Sequence, residues 1–211
     1  MLFVFDLDGT LIDSVEDLTR AVNATRAHFN MGPLSEDAVK SYVGHGATVL
    51  MRHALGPSAS GQMLADGLSF FLDFYGEHAL DYTHLYPGIR SMLDDLRSLE
   101  HVAAVLTNKP SAVANKILSG LGIAKHFFRV YGGDSLKAKK PDPVGVHTLI
   151  NESATDRKAT LVVGDSAVDV ETARNAGVRS CGVTWGLQPH ALEMSRPDIL
   201  IAKPHQLFAY I

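Results

Sequence analysis

The chain has 211 residues, of which 46% are hydrophobic and 20% are charged, the balance of an ordinary globular protein. That length suits one domain with a sizeable insertion, or two small domains. Because the formal net charge is −4 and no Lys/Arg run stands out, we expect neither nucleic acid nor an anionic membrane as a partner.

The single cysteine and the first residues indicate the cellular location. Cys181 has no other cysteine to pair with, which suits a reducing cytosol. The apolar start, Met1 to Phe5, is short and soon meets acidic residues, unlike a signal peptide. No apolar stretch is long enough to span a bilayer. We therefore expect a cytoplasmic protein.

Short apolar runs predict the strands of a parallel sheet. The first lies within residues 1–5, and the others are Val102–Leu106, Phe128–Tyr131, Thr160–Val163, Ser180–Thr184 and Asp198–Ile201. Amphipathic helical patterns separate most of them, such as Ile89 to Leu99 and Val113 to Leu121, the latter followed by Gly122 where a helix C-cap would lie. This alternation predicts an α/β, doubly wound, Rossmann-like core formed by residues 1–13 and 84–211.

Residues 14–83 have a different pattern, without a convincing strand. Apolar residues from Val15 to Phe29 have helical spacing, and Met31 to Pro33 ends that helix. Ser35, followed by two acids, is a helix start. A further helix is predicted around Met63 to Tyr75. We therefore predict an inserted all-helical cap domain at residues 14–83.

Two acids close the first strand. Asp6 and Asp8 are separated by one residue, which puts them on the same side of an extended chain. Ligand sites of open parallel sheets lie outside the carboxyl ends of the strands, where these carboxylates are delivered. An Asp-Gly turn with incidental charge would explain this pair equally well if it stood alone.

Polar residues also follow the later strands. Thr107 and Asn108 could donate to phosphate oxygens, and Lys140 could neutralise phosphate charge. Asp165 follows the fourth core strand, and Asp169 lies four residues on. Each has a structural explanation alone, as a helix start, a basic turn or an N-cap. Together they indicate a phosphate site at the sheet edge.

These residues resemble the motifs of the haloacid dehalogenase superfamily of phosphatases. Asp6 to Thr10 is similar to its first motif, Thr107 to the second, Lys140 with Pro141 to the third, and Gly164 to Ser166 with Asp169 to the fourth. The helical insert after the first motif is similar to the cap of one subclass. The resemblance covers essentially the whole chain.

The resemblance implies a mechanism and a metal. Asp6 would be the nucleophile that forms an aspartyl-phosphate, and Asp8 the acid and base. Mg²⁺ would be bound by Asp6, by the backbone carbonyl of Asp8 and by Asp165, with Asp169 orienting a bound water or the lysine. The phosphoryl oxygens would be held by Thr107, Asn108 and Lys140. An acid at position 8 favours an oxygen leaving group over a halide.

Finer similarity points to the branch of this superfamily that hydrolyses 2-phosphoglycolate. It rests on Thr107 to Pro110, Val43 to Gly46, and Trp185 with Gly186. We expect His45, and more weakly Arg52, as possible substrate contacts. A helix-helix turn with a solvated histidine explains the first of these equally well.

Other functions stay open on the sequence alone. A pyrophosphatase, a sugar- or nucleotide-phosphate phosphatase or a phosphomutase would use the same core motifs. A phosphonate hydrolase would need a lysine from the insert, where Lys40 is the only one. A catalytically silent binding module would be expected to lack some of the acids or the lysine. Both a monomer and a homodimer are compatible with the sequence.

Overall fold

The apolar runs become the strands of one parallel sheet in the computed structural model, which describes residues 1–211. The eight strands of the chain are β1 Leu2–Phe5, β2 Ile12–Asp13, β3 His84–Leu85, β4 Val102–Leu106, β5 Arg129–Tyr131, β6 Thr160–Gly164, β7 Arg179–Val183 and β8 Ile199–Ile201. Six of them form the sheet in the order β5-β4-β1-β6-β7-β8, with all neighbours parallel. The six predicted strands are confirmed, with ends that shift by at most one residue.

Nine α-helices connect and flank these strands. They are α1 Val15–His28, α2 Glu36–Lys40, α3 Ala47–Leu55, α4 Gly61–His78, α5 Ile89–Ser98, α6 Ser111–Gly120, α7 Val144–Ser153, α8 Ala167–Ala176 and α9 Pro189–Ser195. Ser35 caps α2 by accepting from the backbone N–H of Ala38, as its position before two acids predicts. None of the helices combines the length and apolarity that crossing a membrane requires.

The alternating side chains of β1 explain why the sheet is covered on both faces. Phe3 and Phe5 belong to a large apolar cluster that includes residues of α5 and α6. Leu2 and Val4 belong to a second cluster with residues of α7 and α8. All four are buried, and each contributes about 1.5–3 kcal/mol of burial free energy. The doubly wound α/β core predicted from the sequence is therefore confirmed.

Helices α1 to α4 form a helical insert, defined here as residues 14–83, between β2 and β3. Strands β2 and β3 pair antiparallel, Ile12 with Leu85 and Asp13 with His84, where the chain leaves the core and returns. Sequence patterns did not predict this ribbon, because two-residue strands are too short to show a period. The predicted boundaries at residues 13/14 and 83/84 fall at this ribbon.

One buried carboxylate fastens the two crossing segments together. Asp17, in the first turn of α1, is 1% exposed. Its Oδ2 accepts hydrogen bonds from the backbone N–H and the hydroxyl of Thr83, at 2.8 and 2.7 Å. Both carboxylate oxygens also accept from the backbone N–H of Tyr82 at 3.1 Å. The start of the insert is thereby bound to its end.

Candidate active site

The turn after β1 brings two strand ends into contact. Asp6 follows β1 directly, and Gly9 has φ +81°, in the left-handed region that glycine adopts without strain. A Cβ at Gly9 would lie 2.1 Å from Oδ2 of Asp165, which follows the adjacent strand β6. Only glycine fits here, because any larger residue would displace the carboxylate of Asp165.

Three carboxylates gather at this edge of the sheet. Asp6, Asp165 and Asp169 each offer an oxygen, and these oxygens lie within 4.8 Å of one another. All three side chains are buried. Parallel pairing of β1 with β6 is what places the first two side by side. The sequence-predicted acids of the first and fourth motifs therefore meet in space.

Lys140 joins this cluster as its counter-charge. Its Nζ lies 2.8 Å from Oδ1 of Asp6 and 2.6 Å from Oδ1 of Asp169. The other oxygen of Asp169 accepts from the backbone N–H and the hydroxyl of Ser166, in a capping box at the start of α8. Asp169 thus serves as a helix cap and as a lysine partner at once.

Burial shifts the protonation equilibria of the cluster. Desolvation, opposed by Lys140 and reinforced by Asp169, raises the pKa of Asp6 to about 6. Desolvation, together with Asp169 and Asp6, raises the pKa of Asp165 well above its ordinary value. Burial lowers the pKa of Lys140, but Asp169 and Asp6 outweigh it and raise that pKa above the usual range. The lysine therefore stays charged while the carboxylates repel each other.

Asp8 faces a different set of partners. Its Oδ1 accepts from the hydroxyl of Ser14 at 2.5 Å and from Nζ of Lys109 at 2.7 Å. The same Nζ donates to the hydroxyl of Tyr75, in α4 of the helical insert, at 2.7 Å. Asp6 and Asp8, which are separated by one residue in sequence, thus contact different lysines. The assignment of separate roles to the two acids has this geometric basis.

The charges at the site leave room for a cation. Two ammonium groups, Lys109 and Lys140, face four carboxylates, those of Asp6, Asp8, Asp165 and Asp169. The buried Oδ1 of Asp6 accepts no hydrogen bond of good geometry. Carboxylate oxygens are the ligands that Mg²⁺ prefers. The excess of two negative charges and the oxygen-only donors fit a hard divalent cation bound by Asp6 and Asp165.

The carboxylate of Asp165 is held from two sides. Its Oδ1 accepts from the hydroxyl of Thr10 at 3.3 Å, and its Oδ2 from the backbone N–H of Leu187 at 2.8 Å. The indole N–H of Trp185 donates to the carbonyl of Thr10 at 3.1 Å. Trp185 therefore fixes the turn that follows Asp6. Its indole N–H donates to the protein itself and not to a ligand.

Two residues at the end of β4 differ in what they can offer a phosphate. Thr107 accepts from the backbone N–H of Lys109 through Oγ1 at 3.2 Å, and its own proton remains available. Asn108 donates through Nδ2 to the carbonyls of Gly44 at 2.8 Å and Lys140 at 3.0 Å. Because both of its amide protons are engaged, the expected donation from the Asn108 side chain to phosphate does not fit this arrangement.

A cavity separates the sheet edge from the helical insert. Asp6, Asp8, Thr107 and Lys109 line its core side. Apolar residues line much of the rest, namely Leu18, Val43, Ala47, Leu50, Phe71 and Leu187. Lys109 is the one basic side chain on its wall. The cavity thus has a charged floor and a largely apolar roof.

The structure does not bring His45 and Arg52 into this cavity. Both are exposed. In α3 the cavity is lined by Ala47 and Leu50, whereas Arg52 lies on the helix face that points to solvent. The loop around His45 contributes its backbone, through Gly44 and Gly46. The side chains of His45 and Arg52 therefore do not line the cavity as expected, whereas the loop lines it through Gly44 and Gly46.

Three core side chains hold that loop. Asn108 donates to the carbonyl of Gly44, and Nζ of Lys139 to that of His45 at 2.8 Å. Nε2 of Gln188 donates to the carbonyls of Val43 at 3.0 Å and Lys40 at 3.3 Å. The loop between α2 and α3 is thus clasped to the core by side chains from three separate core loops.

Sequence reasoning missed several residues of the site. Lys109 lies within a predicted motif but has no predicted role there, and the sequence patterns do not indicate Ser14, Tyr75 or Gln188 as site residues. The position of Lys109, two residues after Thr107 at a strand end, was the one available signal. The others lie far from the motifs in sequence and approach only through the packing of the insert on the core.

Comparison with known proteins identifies the family of the chain. The family of haloacid dehalogenase-like hydrolases matches residues 3–183. The phosphoglycolate phosphatase of Vibrio parahaemolyticus is 39% identical over 206 residues, which cover 94% of this chain and 90% of that protein. The phosphoglycolate phosphatase of Chromobacterium violaceum is 38% identical over 186 residues, covering 86% of this chain and 84% of that protein.

Solved structures share the fold. A crystal structure of a predicted phosphoglycolate phosphatase from Haemophilus somnus superposes with a TM-score of 0.94 at 30% identity, covering 99% of this chain and 96% of that one. A haloacid dehalogenase-like hydrolase from Streptococcus pneumoniae has a TM-score of 0.87 at 23% identity, covering 99% and 97%. The chain therefore belongs to the haloacid dehalogenase-like hydrolase family, as its motifs indicate, and is an enzyme of the phosphatase type.

Proposed function

We propose that this hydrolase is a Mg²⁺-dependent phosphatase of 2-phosphoglycolate that works through an aspartyl-phosphate on Asp6. The observation that carries the proposal is that the two acids of the first motif, Asp6 and Asp8, contact different groups. Asp6 lies with Lys140 and the other carboxylates of the cluster. Asp8 lies on the cavity side, beside Lys109 and the insert. Relatives named phosphoglycolate phosphatase support the choice of substrate.

Asp6 attacks the phosphorus atom in the first step. A carboxylate oxygen of Asp6 forms a bond to phosphorus as the bond from phosphorus to the ester oxygen of the substrate breaks. The hydroxyl proton of Thr107 and the ammonium of Lys140 stabilise the charge on the phosphoryl oxygens. Lys140 suits this task because its Nζ already contacts Asp6, 2.8 Å away.

Asp8 handles the proton in both steps. In the first, its carboxyl group donates a proton to the leaving oxygen, so that glycolate departs as an alcohol. In the second, the resulting carboxylate takes a proton from the water that hydrolyses the acyl-phosphate. Hydrogen bonds from Ser14 and Lys109 to Oδ1 fix its orientation and leave Oδ2 for this exchange.

Asp6 and Asp165 are the side chains we assign to Mg²⁺, together with the backbone carbonyl of Asp8. The ion would offset the repulsion between the nucleophilic carboxylate and the phosphate dianion. Asp169 would act indirectly, by holding Lys140 at 2.6 Å. Thr10 and Leu187 keep the Asp165 carboxylate in place for this purpose.

The helical insert acts as a cap in this proposal. Its apolar residues, such as Leu18, Leu50 and Phe71, cover the charged floor and exclude water from the first step. The Ile12–Asp13 and His84–Leu85 ribbon is the place where it would hinge.

The same roof disfavours the alternative substrates. The apolar residues of the roof, such as Leu18, Leu50 and Phe71, would offer no hydrogen-bond partners to the hydroxyls of a sugar. A phosphonate hydrolase would need an amine from the insert, but Lys40 forms ion pairs with Glu36 and Asp37 outside the cavity. A compact substrate with one charged end suits the cavity better.

The test is phosphate release from 2-phosphoglycolate with Mg²⁺, beside pyrophosphate and a panel of sugar and nucleotide phosphates. An Asp6→Asn variant, purified in parallel, controls for contaminating phosphatases. We expect a strong preference for 2-phosphoglycolate that disappears in the variant. A preference for another compound would remove the substrate assignment, and full activity of the variant would remove the mechanism.

A further inference from the structure

Lys109 is a buried cation whose hydrogen bond to Asp8 uses only part of its capacity to donate. It is 5% exposed and its Nζ contacts only Asp8 and Tyr75, each at 2.7 Å. Burial lowers its pKa, but attraction to Asp8 and the hydrogen bonds raise that pKa above the usual range. It therefore stays charged inside a cavity that also admits substrate.

Lys109 and Tyr75 each have a proton that donates to no group of the protein. An ammonium group has three protons, of which two are engaged, by Asp8 and by Tyr75. The hydroxyl of Tyr75 accepts from Lys109 and donates to no residue of the chain, and burial raises its pKa to about 12, so it keeps its proton. Both groups line the cavity. One N–H and one O–H thus remain for an acceptor there.

The position of the Lys109 and Tyr75 donors relative to Asp8 indicates which part of a substrate they would contact. The leaving oxygen must lie beside Asp8, the residue that protonates it. Lys109 is bonded to the same carboxylate, so its Nζ lies close to whatever is attached to the leaving oxygen. A substituent one carbon away from that oxygen would come within reach of both Lys109 and Tyr75.

One side chain of the cavity wall can attract an anionic substituent at this position. A negatively charged substituent would be repelled by Asp6, Asp8 and Asp165, which line the cavity. Lys109 is the single basic side chain on the wall that opposes this repulsion. Much of the remaining roof is apolar and offers no second positive charge.

We propose that Lys109 and Tyr75 together bind the carboxylate of the substrate, and so select phosphate esters of short 2-hydroxy acids. This inference rests on the proposed function and deepens it. Lys109 contributes the charge, and Tyr75 contributes a second donor at the end of α4. Because Tyr75 belongs to the helical insert and Lys109 to the core, the carboxylate also joins the two when the substrate is bound.

The test compares two esters of equal size, 2-phosphoglycolate and its neutral amide, 2-phosphoglycolamide. The quantity measured is the ratio of their kcat/KM values. We expect Lys109→Met to lower this ratio about a hundredfold, because a buried charge partner of the carboxylate is lost. Tyr75→Phe, which removes only a hydroxyl, is expected to lower it about tenfold.

Lys116→Met is the matched control. Lys116 also donates from the core to the insert, to the carbonyls of Gly76 and Glu77, but it is exposed and lies outside the cavity. The ratio is expected to stay at the wild-type value in this variant. If Lys109→Met fails to fold, as judged by circular dichroism, the smaller change Tyr75→Phe carries the test.

A separate binding measurement distinguishes failure of this inference from failure of the proposed function. Calorimetry on the Asp6→Asn protein measures the affinity for each ester without turnover, and we expect the acid to bind at least tenfold more tightly than the amide. Equal affinities, or a ratio of kcat/KM that Lys109→Met leaves unchanged, would overturn carboxylate recognition while phosphatase activity stood. Turnover that survives in Asp6→Asn would instead contradict the proposed mechanism.

Discussion

The ammonium group of Lys140 lies 2.8 Å from Oδ1 of Asp6, so one cation contacts the residue that we propose as the nucleophile. Lys140 is the only positively charged group that touches the cluster of Asp6, Asp165 and Asp169. It can therefore stabilise both the resting carboxylate and the phosphoryl group that the carboxylate attacks.

Lys140→Met is expected to lower kcat/KM at least about a hundredfold, because a preorganised charge at the transition state is lost. Steady-state measurement of phosphate release tests this decrease in kcat/KM. Lys137→Met removes a charge from an exposed side chain of the same loop and is expected to leave the rate within about threefold. Comparable losses in the two variants would show that net charge matters and the contact with Asp6 does not.

Asp8→Asn is expected to affect substrates according to their leaving groups. An alkoxide needs a proton to depart, so the rate on an alkyl phosphate should fall by about 10²–10⁴-fold. The nitrophenolate leaving group of an aryl phosphate departs without a proton. The decrease in rate on that ester should therefore be much smaller. Presteady-state release of nitrophenolate measures the first step. An equal loss on both esters would argue against Asp8 as the acid.

Asp165→Asn is expected to stabilise the protein in the absence of metal while preventing activation by Mg²⁺. The variant relieves repulsion within a buried carboxylate cluster, which should raise the free energy of unfolding by about 1 kcal/mol, or about 2–4 °C in Tm. Thermal unfolding in a chelator measures this. Added Mg²⁺ should raise the Tm of the wild type and leave that of the variant unchanged. A variant that still responded to Mg²⁺ would contradict the assigned ligand.

The same cluster predicts a pH dependence for the metal-free wild type. The pKa of Asp6 is raised to about 6 in the folded protein, above the value of about 4 expected in the unfolded chain. A raised pKa contributes stability that is complete below the unfolded value and is lost as the pH rises through the folded value. The Tm of the wild type in chelator should therefore fall between about pH 4 and pH 7 relative to the Asp6→Asn protein, which lacks the titrating group.

Asp17→Ala is expected to loosen the junction between the helical insert and the core. The substitution leaves the N–H and hydroxyl of buried Thr83, and the N–H of Tyr82, without their acceptor. The free energy of unfolding should fall by about 3 kcal/mol. Urea denaturation measures it, with Glu16→Ala as the neighbouring exposed control, expected within about 0.5 kcal/mol. A small effect of Asp17→Ala would mean that other contacts hold the junction.

The sequence predicted the core strands well because each is a short apolar run with a clear end. β1 and β6 are buried along their whole length, so their composition alone marks them. The polar residues at their ends could then be placed at one edge, since parallel strands share a direction. That is why Asp6 and Asp165 were found without knowledge of any contact.

Contacts between the insert and the core could not be predicted in the same way. His45 and Arg52 were chosen for their chemistry, but the packing of α3 turns Arg52 to solvent and leaves His45 exposed. Asn108 was expected to donate to phosphate, whereas its amide holds Gly44 and Lys140. The approach of Tyr75 to Lys109 joins residues that are 34 positions apart, and no local pattern encodes it.

The most direct test of the central claim is to look for the phosphoryl group on Asp6 itself. Enzyme in excess is mixed with radiolabelled 2-phosphoglycolate and Mg²⁺, quenched in acid within a turnover, digested and mapped by mass spectrometry. We predict a transient label on the peptide that contains Asp6, formed before free phosphate appears and absent from the Asp6→Asn protein. Release of phosphate with no labelled protein, or a label on another residue, would contradict the account.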